Sequence, residues 1–200
     1  MAVTEYITLP QLQHALRKQG TVQADDELLA LHIRAACRGI DDHTGRRFWR
    51  DDAPSARTFR PLNASVWDAD GHLLLVDDIA TTDGLVVEQG STSGGWSSVT
   101  GYEVAPDNAV ARSRAITGLR VQAGWPCYAG ARVRVTAVWG WPAVPDVVEQ
   151  AALLQATRLS KRKDSPEGVI GSAEWGGMRL AQLDPDVKAL LKNYELPGFG

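Results

Sequence analysis

The sequence predicts an α+β protein: a four-helix terminal bundle, two helices from each end of the chain, with an antiparallel β sandwich or barrel-like domain inserted between the pairs. Three observations carry this. Apolar residues recur at helical spacing between capping residues over 8–43. From Ala56 to Trp141 the period changes to two, in short runs rich in β-branched residues and punctuated by Gly, Asp and Asn. At Trp141-Pro142 the alternation stops and helical spacing returns. The expected divisions are 1–55 for the first helices, 56–141 for the β insertion, and 142–200 for the last helices with their link and tail.

In "ITLPQLQHALRKQG", Thr8 is a natural N-cap, Pro10 sits early where its missing N–H is harmless, and Gly20 supplies a left-handed stop. That predicts a helix over about 10–19. In "ADDELLALHIRAACRGIDDHTG", Asp25 or Asp26 caps a second helix over about 26–43, with Leu29, Ile33, Ala36 and Ile40 on its inner stripe. Both helices are too short to be stable alone in water, so they must dock on a third.

The β region follows in the runs "RTFRPL", "HLLLVDDI", "GLVVEQ", "SVTGYEV", "ITGLRVQ" and "RVRVTAVWGW". Asp70-Gly71 and Asp83-Gly84 lie between such runs and read as hairpin turns, because those residues accept the positive φ angles of primed turns. Glycine-rich "STSGGW" at 91–96 reads as a further hairpin loop, since no helix or lysine follows to make it a phosphate cradle.

Pro145 and Asp146 then open a helix over about 147–163, whose inner stripe is Val147, Val148, Ala151, Ala152, Leu154 and Leu159. Its alanines allow close approach by a neighbour. A glycine-rich link, "GVIGSAEWGGMR", leads to "DPDVKALLKNYE", where Asp184 caps, Pro185 begins, and Val187, Leu190, Leu191 and Tyr194 share a face.

Composition limits the functions available. The chain has 200 residues and a net charge of −3 from 21 basic and 24 acidic residues, which argues against a tight grip on duplex nucleic acid. No apolar run approaches the ~20 residues that span a bilayer, and no leader pattern opens the sequence, so a soluble, non-secreted protein without a membrane partner is expected. Two cysteines, Cys37 and Cys127, are too few for a disulfide framework or a zinc site. No cofactor or metal is expected.

Residues that could carry chemistry have structural explanations close at hand. The acid pairs Asp25-Asp26, Asp41-Asp42, Asp51-Asp52 and Asp77-Asp78 fall where caps or turns are independently predicted. His14, His32, His43 and His72 are scattered, and His43 suits a helix C-terminus, where its positive form complements the dipole. No nucleophile elbow or dinucleotide fingerprint occurs, so a non-enzymatic protein is expected. Seven tryptophans are the less ordinary feature. Trp139 and Trp141 alternate onto one face, where they either pack in the core or form a platform for sugars or a partner, which makes a carbohydrate-binding or adhesion module the alternative function. Arg158, Lys161, Arg162 and Lys163 complement a helix dipole, yet exceed what capping requires, and read as a surface met by something acidic.

Together the stretches "YITLPQLQHAL", "DDELLALHIRAACRGIDDHTGRRFW" and "VTAVWGWPAVPDVVEQAALLQATRLSKRKDSPEGVIGSAEWGGMRLAQLDPDVKALLKNY" resemble the head–tail connector (adaptor, or head-completion) proteins of tailed bacteriophages. The "GWPAVP" to "KRKDSPEG" pattern is the most specific part, and the middle region matches the long forms only in kind. The resemblance implies a structural virion protein: a dodecameric ring beneath the portal protein, extending the DNA channel and offering a platform to a stopper or tail-completion protein. It implies assembly from host cytoplasm into the capsid neck, with subunits monomeric until the portal templates them, and transient non-specific contact with passing DNA. Carried onto this sequence, it places Arg158, Lys161, Arg162 and Lys163 near the portal, the next subunit or DNA. Trp175, Met178 and Arg179 fall in a link that orders on assembly, and Tyr194 and Phe199 reach toward the portal.

Overall fold

The computed structural model of the protein describes residues 4–18, 25–162 and 183–196. Two compact units make it up, one drawn from Val3–Phe48 with Val144–Gly200 and the other from Trp49–Ala143. With two antiparallel sheets and five α-helices among the described residues, the fold is of mixed α and β composition. None of these helices is long and apolar enough to cross a membrane.

Helix α1, Leu9–Lys18, begins with one half of a capping box. The Thr8 carbonyl accepts from Leu12 N at 3.2 Å, while Gln11 reaches back to accept from Thr8 N at 2.6 Å. The expected stop at Gly20 lies outside the described residues. Helix α2, Asp26–Thr44, resolves the choice of cap: Asp25 accepts from Glu27 N at 3.1 Å. It ends at Gly45, whose φ of 67° is the left-handed turn that glycine tolerates and whose N–H reaches Asp41 O at 2.8 Å. Leu29, Ile33, Ala36 and Ile40 are buried as the spacing predicts, joined by Cys37.

A third, one-turn helix in the sheet region is α3, Pro61–Ala64, where Pro61 at the first helical position turns the end of "RTFRPL" out of the strand. Helix α4, Asp146–Arg162, packs against α1, against α2 and against α5, Pro185–Leu191. Ala151, Ala152 and Ala156 are wholly buried, so the neighbours close onto α4 with little side chain between them. The expected inner stripe needs correction: Leu154 is 41% exposed, and Val147 and Leu159 are only half-buried. Gln155, Thr157 and Ser160 are buried instead, because a helix with partners on several sides has no single inner face.

The second unit holds two four-stranded sheets. One runs in the order β1 (Ser55–Phe59), β8 (Ala131–Ala137), β4 (Val86–Ser91), β5 (Gly94–Ser98). The other runs β2 (Ser65–Asp68), β3 (Gly71–Ile79), β7 (Ile116–Val121), β6 (Glu103–Ala105). Both contribute to one apolar core: Leu74, Ile79, Ile116 and Leu119 from the second sheet meet Val87, Val133, Val135 and Ala137 from the first, which makes the unit a sandwich. Strand β8 shows the expected alternation, with Ala131, Val133, Val135 and Ala137 buried and the residues between them half-exposed.

The turn at Asp70-Gly71 joins β2 to β3 as a hairpin, with Asp68 paired to Gly71. The hairpin expected at Asp83-Gly84 does not form. Gly84 does take a positive φ of 70°, but its turn carries the chain from β3 in one sheet to β4 in the other. A primed-turn dipeptide specifies a chain reversal, while the pairing partner is chosen by burial of the flanking strands. The loop at 91–96 is a hairpin, closed by Ser91 opposite Gly94.

Candidate interaction surface on the helical unit

The sequence singled out a basic cluster at the end of α4 and the residues that follow. Arg158 is not free for a partner: its guanidinium pairs with the Asp184 carboxylate. Asp184 in turn caps α5 by accepting from Asp186 N at 2.9 Å, and its own N–H reaches Gln155 Oε1 at 3.3 Å. One carboxylate therefore ties the start of α5 to α4. Lys161 is exposed. Arg162 closes α4. Its side chain, together with Lys163, Trp175, Met178, Arg179 and Phe199, lies outside the described residues.

Tyr194 sits in a 3-10 turn, Lys192–Tyr194, and is half-buried. Its ring meets Phe48 edge-on at 5.7 Å. Three more contacts hold this segment on the end of α2: Leu196 N donates to Thr44 O at 2.9 Å, His43 faces Glu195 at 3.1 Å, and the Leu196 side chain lies over Gly45. His43 thus stands in the last turn of α2, as expected, opposite a carboxylate.

Beside it is a cluster that sequence reasoning missed. The Tyr6 hydroxyl donates to Asp41 and accepts from Phe48 N at 3.0 Å, and Arg38 pairs with Asp41 at 2.8 Å. Arg38 also donates to Thr4 O at 2.8 Å, and Tyr6 N donates to Cys37 Sγ at 3.3 Å. Burial pushes the Asp41 carboxyl up to about 6 against the opposing pull of Tyr6 and Arg38, raises the Tyr6 phenol, and pushes the Cys37 thiol up to about 11. Chemically this is a clamp holding the segment before α1 to α2. Its one sequence signal was Asp41, read there only as half of a turn pair. The other acids act similarly: Asp26 accepts from Gln13, Asp77 pairs with Arg57, and Asp78 accepts from the Trp141 indole. Among the described residues no group of three or more His, Cys, Asp or Glu could hold a metal ion. Both cysteines are free thiols.

In the β unit the tryptophans are occupied by their own neighbours. Trp139 is fully buried, donates to Ser55 O at 2.8 Å and carries the Arg57 guanidinium over its ring at 4.3 Å. Trp141 and Trp125 are also buried, so the Trp139–Trp141 pair is core and not a platform. Trp96 lies over Gly90 with Arg134 stacked on it at 4.4 Å. Trp67 is 63% exposed, with its ring stacked on buried His72 at 4.2 Å.

No protein-family model matches the sequence, and a comparison with curated proteins finds no match. Solved structures share the fold along nearly the whole chain. A chain from the neck of an empty gene transfer agent (GTA) particle, computed with C6 symmetry, aligns at a TM-score of 0.53 and 19% identity, over 98% of this chain and 92% of that one. A chain from the virion of a native gene transfer agent particle aligns at a TM-score of 0.50 and 19% identity, over 100% of this chain and 97% of that one.

Proposed function

We propose that the protein is a structural neck protein of a phage-like particle, a head–tail adaptor that seats as a ring under the portal, extends the DNA channel and presents a platform to the next stopper or tail-completion protein. The observation that carries this reading is the end-to-end similarity of fold to a chain from a particle neck, helical ends and β unit alike. In this account α1, α2, α4 and α5 are one docking bundle, and Trp49–Ala143 is an insertion within it. A ring needs a heterologous closed interface, two different faces on each subunit and no catalytic machinery. The sixfold symmetry used for the similar neck suits such a ring, and a dodecamer is compatible with it.

Within the bundle, Arg158 fixes α5 to α4 through Asp184, while exposed Lys161, together with Arg162 and Lys163, is assigned to meet the portal, the neighbouring subunit or DNA. Trp175, Met178 and Arg179 belong to the link that settles on docking, and Tyr194 and Phe199 to the tail directed at the portal. A net charge of −3 suits a conduit, because each neutralised phosphate would add affinity and slow passage. The direct test is the native mass of the purified protein with and without a portal ring. Saturable addition of a fixed number of subunits only when portal is present is the expected result, and no association at any concentration ratio overturns the reading.

A further inference from the structure

Burial does little to hold the edge strand of the second sheet. Strand β2 pairs with β3 and, among the described residues, has no strand on its other side. Over the stretch 61–68, Leu62 is 63% exposed, Val66 53% and Trp67 63%, and only Pro61 is buried. What fastens this stretch is a histidine. His72 stands opposite Trp67 in register, is 1% exposed, and carries the Trp67 indole stacked on its ring at 4.2 Å. The other three histidines belong to the helical unit and are exposed or half-buried.

The hydrogen bonds around this imidazole fix its protonation. Nδ1 accepts from Trp125 N at 2.9 Å, so it bears no proton. Nε2 lies 2.8 Å from Ser65 Oγ, whose single proton is already given to the Pro61 carbonyl, so the proton in this second bond is the histidine's own. His72 is therefore neutral and protonated at Nε2 alone, and through Ser65 it ties both α3 and β2 to β3. A proton added at Nδ1 would point at the Trp125 N–H, setting two donors against each other inside a closed site. One side must yield. Trp125 is buried and its indole donates to Leu119 O at 3.2 Å, which fixes its loop to β7. The exposed stretch 61–68 is the side able to move.

No counter-charge is placed to receive that proton. Asp68 of β2 and Arg120 of β7 pair at 2.8 Å on the opposite face of the sheet, the face of Val66 and Leu73. Helix α3 has no ionisable side chain, and Arg60 before it, Asp70 in the hairpin turn, and Cys127 and Tyr128 in the β7–β8 loop are all exposed. Farther along β3, Asp77 pairs with Arg57 and Asp78 accepts from Trp141. The attraction of an exposed indole for an imidazolium acts the other way, but it is weaker than the loss of a buried N–H partner. Burial accordingly holds His72 below the usual histidine value of 6.5. The closed arrangement is favoured above that value, and the preference is lost as pH falls from there through the lowered one. We propose that neutral His72 is the latch of a flap, residues 61–68, and that protonating Nδ1 releases the flap and leaves the edge of β3 unpaired. An unpaired strand edge is a template for another chain. The latch lies within the β unit and is independent of the neck reading.

Nitrogen-15 spectra of the imidazole rings and the amides, recorded on the full chain from about pH 7.5 down to about pH 4.5, test it. The expected result is the Nε2–H tautomer at the start, a protonation midpoint below 6.5, and amide shifts of Ser65–Asp68 and Trp125 that follow the same midpoint. His72→Gln, whose amide takes no proton in this range, abolishes those amide shifts. Ser65→Ala removes the flap's bond to the ring at a half-buried position that threatens the fold less, so the flap opens near neutral pH and the His72 midpoint rises toward 6.5. An Nδ1–H tautomer at the start, a midpoint at or above 6.5, or an unchanged midpoint in Ser65→Ala overturns the proposal. So does protonation of His72 that leaves Ser65–Asp68 unmoved.

Discussion

At the scale of the residue, Asp41 is where burial opposes charge most openly. Its folded-state carboxyl holds a proton up to about pH 6, whereas in the unfolded chain it ionises near 4. The folded form therefore binds the proton more tightly, and the stability this confers is fully present below about pH 4 and lost as pH rises through 6. Asp68 and Glu88 act in the opposite sense: hydrogen bonds from Arg120 and Arg134 hold both below the ordinary range, so their contribution is lost as pH falls below about 4. Urea unfolding followed by far-ultraviolet circular dichroism should show a helical transition at a higher midpoint at pH 5 than at pH 7.5. Asp41→Asn should narrow that difference, and an unchanged gap would assign the pH dependence to another group.

Asp184 gives a second test at this scale. Removing it takes away both a helix cap and the partner of Arg158, so Asp184→Ala should cost about 1–2 kcal/mol. Arg158→Ala leaves the cap in place and should cost less than about 1 kcal/mol. A double-mutant cycle read by chemical denaturation gives the pair's coupling, and equal losses for the two single variants would deny the cap its separate share.

At the scale of the element, α4 is the member around which the helical unit closes. Ala152→Leu would force extra atoms into a wholly buried position between helices, and a loss of about 1–3 kcal/mol in denaturant unfolding is expected. In the β unit, Gly140 adopts a φ of 105°, and a Cβ there would meet the Trp49 carbonyl oxygen at 1.9 Å. Gly140→Ala should therefore destabilise that unit by about 3 kcal/mol or more, measured as the shift in tryptophan fluorescence during unfolding. A shift near zero for either variant would mean that the backbone yields more easily than this packing allows.

Elements were legible in the sequence wherever a local interaction decides them. Asp25 and Asp184 each accept from a backbone N–H two residues on, and α2 and α5 begin where these side chains stand. Strand β8 was equally readable, since one buried face writes itself as alternation. What escaped was set by partners distant in sequence. Nothing within "TTDGLV" tells that β3 and β4 lie in different sheets, nor does the spacing in α4 tell that Gln155 and Ser160 are buried while Leu154 is exposed. The Tyr6–Asp41–Phe48 clamp joins residues 35 and 42 positions apart, beyond the reach of any local pattern.

At the scale of the whole molecule, the account assigns the working surface to the helical unit and treats the sandwich as an addition to it. The basic end of α4 and the segment after α5 are expected to meet the portal, and the sheets to remain outside that contact. Amide hydrogen exchange, compared between the free protein and the protein bound to a portal ring, tests this most directly. The account predicts new protection at the end of α4 and over 185–196, with Trp49–Ala143 unchanged. Protection confined to Trp49–Ala143, with the helical unit exchanging as it does when free, would contradict it.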